Sequence, residues 1–362
     1  MKIINVVGAR PNFMKIAPIQ RVMSAHKNIE TRLVHTGQHY DERMSKLFFE
    51  DLQLPKPDVY LNVGSGSHAV QTAKVMMEFE QVLLAEKPDL VVVVGDVNST
   101  AACSIVAAKL GVRVAHVEAG LRSFDRTMPE EINRILTDAI SDFLFVTEQS
   151  GLMHLKNEGI NDSKVHFVGN VMIDSLVYFL EKARQSKIMN ELNLDQKNFA
   201  LVTLHRPSNV DNKDHFLNLL HAFEVIEKDI NIVFPIHPRS RKMIASFGLQ
   251  KKVDQMKNLM ILEPMGYLDF MNLMQNAKLV LTDSGGIQEE TTYLGTPCIT
   301  LRENTERPVT IEVGTNVMVG NDTNRIIAEA QKVISGNGKH GRIPDLWDGK
   351  AAERIVKILT GE

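Results

Sequence analysis

The stretch Leu90-Val91-Val92-Val93-Val94-Gly95-Asp96 decides the fold. Five consecutive apolar residues, four of them β-branched, leave no polar face. A strand of that kind is covered on both sides, as in a parallel sheet flanked by helices. It ends in glycine and an acid, the turn chemistry of a strand passing into a crossover helix. Outward from it, β-branched runs at 2–7, 31–36, 113–117, 143–146 and 165–168 alternate with longer amphipathic segments, the pattern of parallel strands joined by helices. The second half repeats the scheme at 199–204, 232–235, 259–262, 279–282, 298–301 and 316–319. The expected fold class is therefore α/β, with two similarly built, doubly wound Rossmann-like domains in preference to one very wide sheet. The break is expected at 169/170, giving an N-terminal domain over 1–169 and a C-terminal domain over 170–349. The final amphipathic helix, 350–362, is too short to be a domain and must dock on one already built.

Composition bounds the function. A length of 362 residues with 44% hydrophobic and 23% charged side chains fits two globular domains of about 150 residues. Lys and Arg number 41 against 44 Asp and Glu, a net charge of −3, without the positive field a nucleic-acid binder needs. No apolar run approaches the ~20 residues that cross a bilayer, and Lys2 leads at once into strand-like Ile3, without a signal-peptide pattern. The expectation is a cytoplasmic chain with no membrane and no nucleic-acid partner. Cys103 and Cys298 are far apart in apolar segments and read as core residues, not a disulfide or thiolate site. His35 and His39 stand in the turn sequence HTGQH, and no HExxH is present, so no metal is expected. The first turn reads GARPNF, not GxGxxG; Gly64-Ser65-Gly66-Ser67 lacks a third glycine, and no GxxxxGK[ST] loop occurs. No cofactor is expected.

Ligands bind open parallel sheets outside the carboxyl ends of their strands, and the unusual polar residues gather there. Strand 2–7 runs into Gly8-Ala9-Arg10-Pro11-Asn12 and Lys15; 90–94 delivers Asp96; 113–117 delivers Glu118, followed by Gly120 and Arg122. An acid in such a turn commonly caps the next helix, and Ser99 competes with Asp96 for that role. Glu118 resists that reading, since glutamate has poor strand preference. In Met128-Pro129-Glu130-Glu131-Ile132-Asn133-Arg134, proline and paired acids suit a helix start, which simple dipole complementation also explains. Glu130 and Arg134, four apart, share one helix face. In the second half, two strands end in His205-Arg206-Pro207 and His237-Pro238-Arg239, placing a general acid or phosphate contact beside the reading as ordinary polar residues. The strongest local signal is Leu279 to Glu290: a buried strand, the turn Ser284-Gly285-Gly286, and a helix start. Amides at such a helix start hold anions, and glycine lets a diphosphate approach. Glu290 lies one turn inside, suited to ribose hydroxyls, and Arg307 adds a phosphate or carboxylate contact.

Seven motifs in order, GARPNFMKIAP, GDVNST, HVEAGLRS, MPEEINR, TLHRP, LTDSGGIQEE and RENTERP, closely resemble the non-hydrolysing UDP-N-acetylglucosamine 2-epimerases over essentially the whole chain. The resemblance implies a B-type glycosyltransferase-like fold of two domains facing a cleft that holds the nucleotide sugar, a C-terminal helix packed back on the first domain, and a homodimer. It implies inversion at C2 of UDP-N-acetylglucosamine through elimination of UDP to 2-acetamidoglucal and its re-addition. Asp96, Glu118 and Glu130 are thereby expected as catalytic acids and bases, and His205 as a contact to the diphosphate or leaving group. Arg10, Lys15, Arg134, His237, Phe270, Ser284, Gly285, Gly286, Glu290 and Arg307 are expected to bind the UDP-sugar. Two features depart from the pattern or extend it. Members with a regulatory substrate site carry glutamine-histidine-arginine where this chain has Gln38-His39-Tyr40-Asp41. HTGQHYD and SFDRTMPEEINR also resemble the sister enzymes that epimerise UDP-2,3-diacetamido-2,3-dideoxyglucuronate, whereas Arg307-Pro308 fits the N-acetylglucosamine branch. A glycosyltransferase of this architecture and a UDP-sugar sensor without turnover are the remaining alternatives. The excess of acids weighs against the first.

Overall fold

A computed structural model describes residues 1–37 and 54–362 and, of Arg10, the backbone alone. The run Gln38 to Asp41 lies outside the described residues. The first sheet contains β1 (Lys2–Val7), β2 (Glu30–His35), β3 (Val59–Tyr60), β4 (Leu90–Val94), β5 (Arg113–Ala119), β6 (Phe143–Val146) and β7 (Val165–Phe167). The second contains β8 (Phe199–Thr203), β9 (Asn231–Pro235), β10 (Leu259–Leu262), β11 (Leu279–Thr282), β12 (Cys298–Thr300) and β13 (Asn316–Met318). Each strand expected from the sequence is present to within two residues at either end. β3 was not expected: two residues paired to β2 are too short to show any alternation.

All pairs are parallel, in the orders β3-β2-β1-β4-β5-β6-β7 and β10-β9-β8-β11-β12-β13. Each sheet therefore reverses its winding once, between β1 and β4 in the first and between β8 and β11 in the second. Such a switch point opens a crevice at the carboxyl ends, because the crossovers on either side of it run in opposite directions. The alternation of side chains covers both faces. Ala200 and Val202 join one apolar cluster with Phe216, Leu220 and Ile326, while Phe199 and Leu201 join another with Leu273 and Met274. In β4 no valine is more than 1% exposed, which is why its sequence shows no polar face. Each such side chain contributes about 1.5–3 kcal/mol of burial.

The chain divides into two compact units, Met1–Tyr178 with Asp345–Glu362, and Phe179–Pro344. The division falls inside the helix Val171–Arg184, after the expected 169/170 break. Gly169 has φ +87°, and a Cβ there would lie 2.1 Å from the Leu346 carbonyl oxygen. It is thus a packing position of the first unit, not a linker. Ser175 Oγ donates to the Met14 carbonyl, and Asp174 accepts the amides of Ala351 and Ala352 at 3.1 and 2.7 Å. Those bonds start the last helix, Ala351–Thr360, on the first unit. Buried Trp347 adds an Nε1 bond to the Thr147 carbonyl at 3.0 Å.

Candidate functional site

In the first unit the polar residues converge on the switch point. The β1 turn enters the helix Arg10–Ala25, where Asn12 donates to the Val94 carbonyl at 2.8 Å and so ties the β1 turn to the end of β4. From one turn further along, Lys15 reaches Glu118 and pairs with its Oε2; both side chains are almost fully buried. Glu118 has φ +72° and sits where the β5–β6 register shifts between Val117 and Ala119. A bulge re-aims the side chain that it carries, and here it turns Glu118 towards Lys15. Gly95, at φ +67°, lies beneath: a Cβ on it would stand 2.8 Å from Lys15 Nζ and 3.6 Å from Glu118 Oε2.

Asp96 does not serve as the cap of the helix Asn98–Lys109 in the way the simpler reading expects, since that helix starts on Val97 with no side-chain cap. Asp96 Oδ2 pairs with Arg134 Nη1. Arg134 in turn donates from Nε and Nη2 to Glu131 Oε2 at 3.0 and 2.6 Å, and Glu131 accepts from the amides of Ser123 and Phe124. Burial alone would raise the Glu131 carboxyl; these bonds and Arg134 hold it below its ordinary value. Arg134 shares a helix face with Glu130 but pairs with Glu131, three residues back, and with Asp96. The side chain of Glu130, a part-exposed residue, makes no hydrogen bond or ion pair with a described residue.

Behind this layer lies a buried network that sequence reasoning missed. His116 contacts Asp138 Oδ1 through Nδ1 at 2.6 Å and the Gly95 carbonyl through Nε2 at 2.9 Å, so both ring nitrogens face acceptors. Asp138 also accepts the Gly120 amide at 3.0 Å and pairs with Arg122 at 2.7 Å. Its burial would raise the carboxyl, but His116 and Arg122 outweigh that and hold it low. Arg122 and Gly120, which follow Glu118 in the sequence, are thus engaged within the first unit. Arg122 is spent on Asp138 and Glu158, and a Cβ at Gly120 would strike the Gly151 carbonyl. Residues 116 and 138 are separated by a turn and a helix, so no local pattern links them. His35, at the end of β2, stacks on Phe13 with centroids 5.3 Å apart and accepts the Gly37 amide; burial lowers its pKa to about 4, so the ring is neutral at pH 7. Among the described residues no three His, Cys, Asp or Glu side chains are grouped to hold a metal.

The second unit repeats the arrangement with the opposite emphasis. Asp283, following β11, is completely buried and accepts the amides of His205 and Arg206, the latter at 2.9 Å, while its Oδ1 stands 3.0 Å from His205 Nδ1. Burial would raise this carboxyl, and His205 with the amides keeps it below its ordinary value. Asp283 thus orients the plane of His205 through Nδ1, while Nε2 makes no hydrogen bond with a described residue. It went unassigned although it stands in the turn motif itself. Ser284 leads into the helix Gly285–Leu294. A Cβ on Gly285 would lie 2.6 Å from Arg307 Nη1, so a side chain there would displace that guanidinium. Arg307 is itself held by Glu289 at 2.9 Å and by Glu306, so its guanidinium is already shared and is not a free fork for a bidentate contact. Glu290 is buried one turn inside and accepts from Tyr267 Oη at 2.8 Å. Phe270, on the same helix as Tyr267, packs half-buried against the core. His237 accepts the Arg239 amide as the cap of the helix Pro238–Ser246, and its ring lies 5.8 Å from that of His205.

Residues 21–360 match the family model described as UDP-N-acetylglucosamine 2-epimerase. The chain is 48% identical, over 99% of both chains, to the UDP-N-acetylglucosamine 2-epimerase of Methanocaldococcus jannaschii. It is 40% identical, over 99% of both, to the UDP-2,3-diacetamido-2,3-dideoxy-D-glucuronate 2-epimerase of Pseudomonas aeruginosa. Among solved structures, that of the Methanocaldococcus jannaschii UDP-GlcNAc 2-epimerase in complex with UDP-GlcNAc and UDP is similar with a TM-score of 0.92 and 47% identity, covering all of both chains. With a family model spanning most of its length and relatives of such identity aligned from end to end, the chain belongs to the UDP-N-acetylglucosamine 2-epimerase family, isomerases of B-type glycosyltransferase-like fold.

Proposed function

We propose that this enzyme interconverts UDP-N-acetylglucosamine and UDP-N-acetylmannosamine. The observation that carries the reading is Glu118, bulged out of β5 and buried against Lys15 beside Gly95 and Asp96. The C2 proton has no neighbouring carbonyl, so a free carbanion is out of reach. Elimination avoids it. A carboxylate takes the C2 proton as the C–H pair forms the C1=C2 bond, and the C1–O bond breaks to release UDP and 2-acetamidoglucal. UDP then adds back at C1 while an acid delivers a proton to the opposite face of C2. Asp96, Glu118 and Glu130 supply the proton-transferring groups, one removing and another returning it. Lys15 and Arg134 hold two of them, and His205 Nε2 meets the departing diphosphate.

The amides of Ser284, Gly285 and Gly286 receive the diphosphate at the helix start, where the dipole favours negative charge. Glu290 takes the ribose hydroxyls, and Arg10, His237, Phe270 and Arg307 complete the contacts. On this reading the first unit supplies the acids and the second unit binds UDP. No cofactor enters the scheme. The Pseudomonas aeruginosa relative supports a second reading, in which the substrate is the diacetamido-uronate. We also read the protein as a cytoplasmic homodimer. Two free, buried thiols suit a reducing compartment. Val70, Met77 and Leu84, spaced by seven along the helix His68–Glu86, form an exposed apolar line that a second copy would cover. No described helix is long and apolar enough to cross a membrane.

Both substrates are to be offered in heavy water. Deuterium at C2 of recovered UDP-N-acetylglucosamine and its epimer supports the first reading; incorporation only into the uronate supports the second. Turnover that retains protium at C2 would overturn the elimination route.

A further inference from the structure

The amino edge of the second sheet, opposite to the edge bearing His205 and Ser284, contains a cavity of about 300 Å³ lined by Lys197, Lys278, Lys339 and His340 with Gly336 and Gly338. Lys278 immediately precedes β11, Lys197 stands two residues before β8, and the glycines follow the helix Thr323–Ile334. No carboxylate is among its described lining residues. The lysines are anchored rather than dangling. Lys197 Nζ donates to the carbonyls of Gln275 and Ala277 at 2.7 and 3.0 Å, and Lys339 Nζ to those of Ile311 and Asn316, the latter at 3.0 Å. An ammonium has three donors, so each keeps one beyond its two carbonyls. The ammonium of Lys278, a half-buried residue, has no hydrogen-bonding or ion-pairing partner among the described residues. Burial and then Lys278 lower the pKa of Lys197, and burial lowers that of Lys339. Collecting like charges around a recess without a counter-charge is costly, and a bound anion removes the cost. Nothing in the epimerase reaction uses this edge.

We propose that this pocket binds a phosphoryl group, as inorganic phosphate or as a phosphate monoester, at a site separate from the diphosphate turn. Phosphoryl oxygens can accept from the donors these ammonium groups keep, and a volume of about 300 Å³ leaves room beyond the phosphoryl for a small organic group. Calorimetric titration of the full-length protein with inorganic phosphate and, separately, with glucose 6-phosphate tests it. Each titration is made with and without saturating UDP, at ionic strength matched with sodium chloride. Binding is expected to persist with UDP present and to weaken about tenfold in Lys278→Gln, with recovery in Lys278→Arg. Tighter binding of glucose 6-phosphate marks a monoester as the ligand, and equal binding marks free phosphate. Lys278 anchors nothing, so the variant keeps its melting temperature and its UDP affinity. No phosphate binding, phosphate binding abolished by UDP, or binding that Lys278→Gln leaves unchanged would overturn the proposal. Because the readout is binding and not turnover, failure here leaves the epimerase reading standing, and the reverse also holds.

Discussion

Glu118 occupies a left-handed backbone conformation that costs a non-glycine residue about 1–2 kcal/mol. Such strain persists only where the surroundings over-determine it, and here they do: β5 pairs on both sides of the bulge, and Lys15 holds the carboxylate. The sequence pointed to Glu118 because glutamate sits badly after a strand. It could not show that Gly95 and Lys15 pack against it, contacts that join positions 15, 95 and 118 across three strands. Glutamine at 118 retains an acceptor for Lys15 and the side chain's volume while losing the proton-accepting charge. Glu118→Gln is accordingly expected to bind UDP as the wild type does and to lose about 10²–10⁴-fold in turnover and C2 exchange. Calorimetry with UDP and deuterium incorporation check the two halves separately; a variant that exchanges at the wild-type rate removes Glu118 from the chemistry.

At the level of elements, the helix Ala351–Thr360 docks through its first amides on the buried Asp174 carboxylate. Burial raises this carboxyl to about 6, even though the two amides act to lower it. The folded state therefore holds the Asp174 proton more tightly than the unfolded chain. Its contribution to stability is fully present below the unfolded value near 3.8 and is lost as pH rises through about 6. Asp174→Asn should remove this dependence. The stability of wild type minus variant, from urea unfolding, is expected to fall by the order of 2 kcal/mol between about pH 4 and pH 7. A pH-independent difference would show the carboxyl to be ordinary. In the sequence, the polar segment 185–198 leading into the second half suggests a break near 169/170, but Gly169 is pressed against Leu346, which lies far along the chain.

For the whole molecule, one winding pattern is used twice, and each switch point carries different side chains: carboxylates and their cations beside β1 and β4, an oriented histidine and a glycine-led helix start beside β8 and β11. The helix His68–Glu86 buries Val75, Phe79, Val82 and Leu83, yet leaves Met77 67% exposed with Val70 and Leu84 on the same line. Water-exposed apolar surface of that length is unfavourable, and a second copy would cover it. Met77→Glu is therefore expected to yield a species of half the wild-type mass by light scattering, with its circular dichroism unchanged. Identical masses for the two proteins would place any dimer contact elsewhere.

Strand identity, parallel pairing and the gathering of acids and glycines at strand ends were determined by the sequence itself, because burial on both faces writes continuous β-branched runs and strand-end turns need particular residues. Only the tertiary structure decided the partners. Arg134 serves Asp96 and Glu131, Arg122 serves Asp138, Asp283 steers His205, and Arg307 is shared between Glu289 and Glu306. Each pairing closes a long loop in the chain or chooses among several acids within reach. That choice depends on distances of an ångström or two, which no residue spacing along the chain encodes.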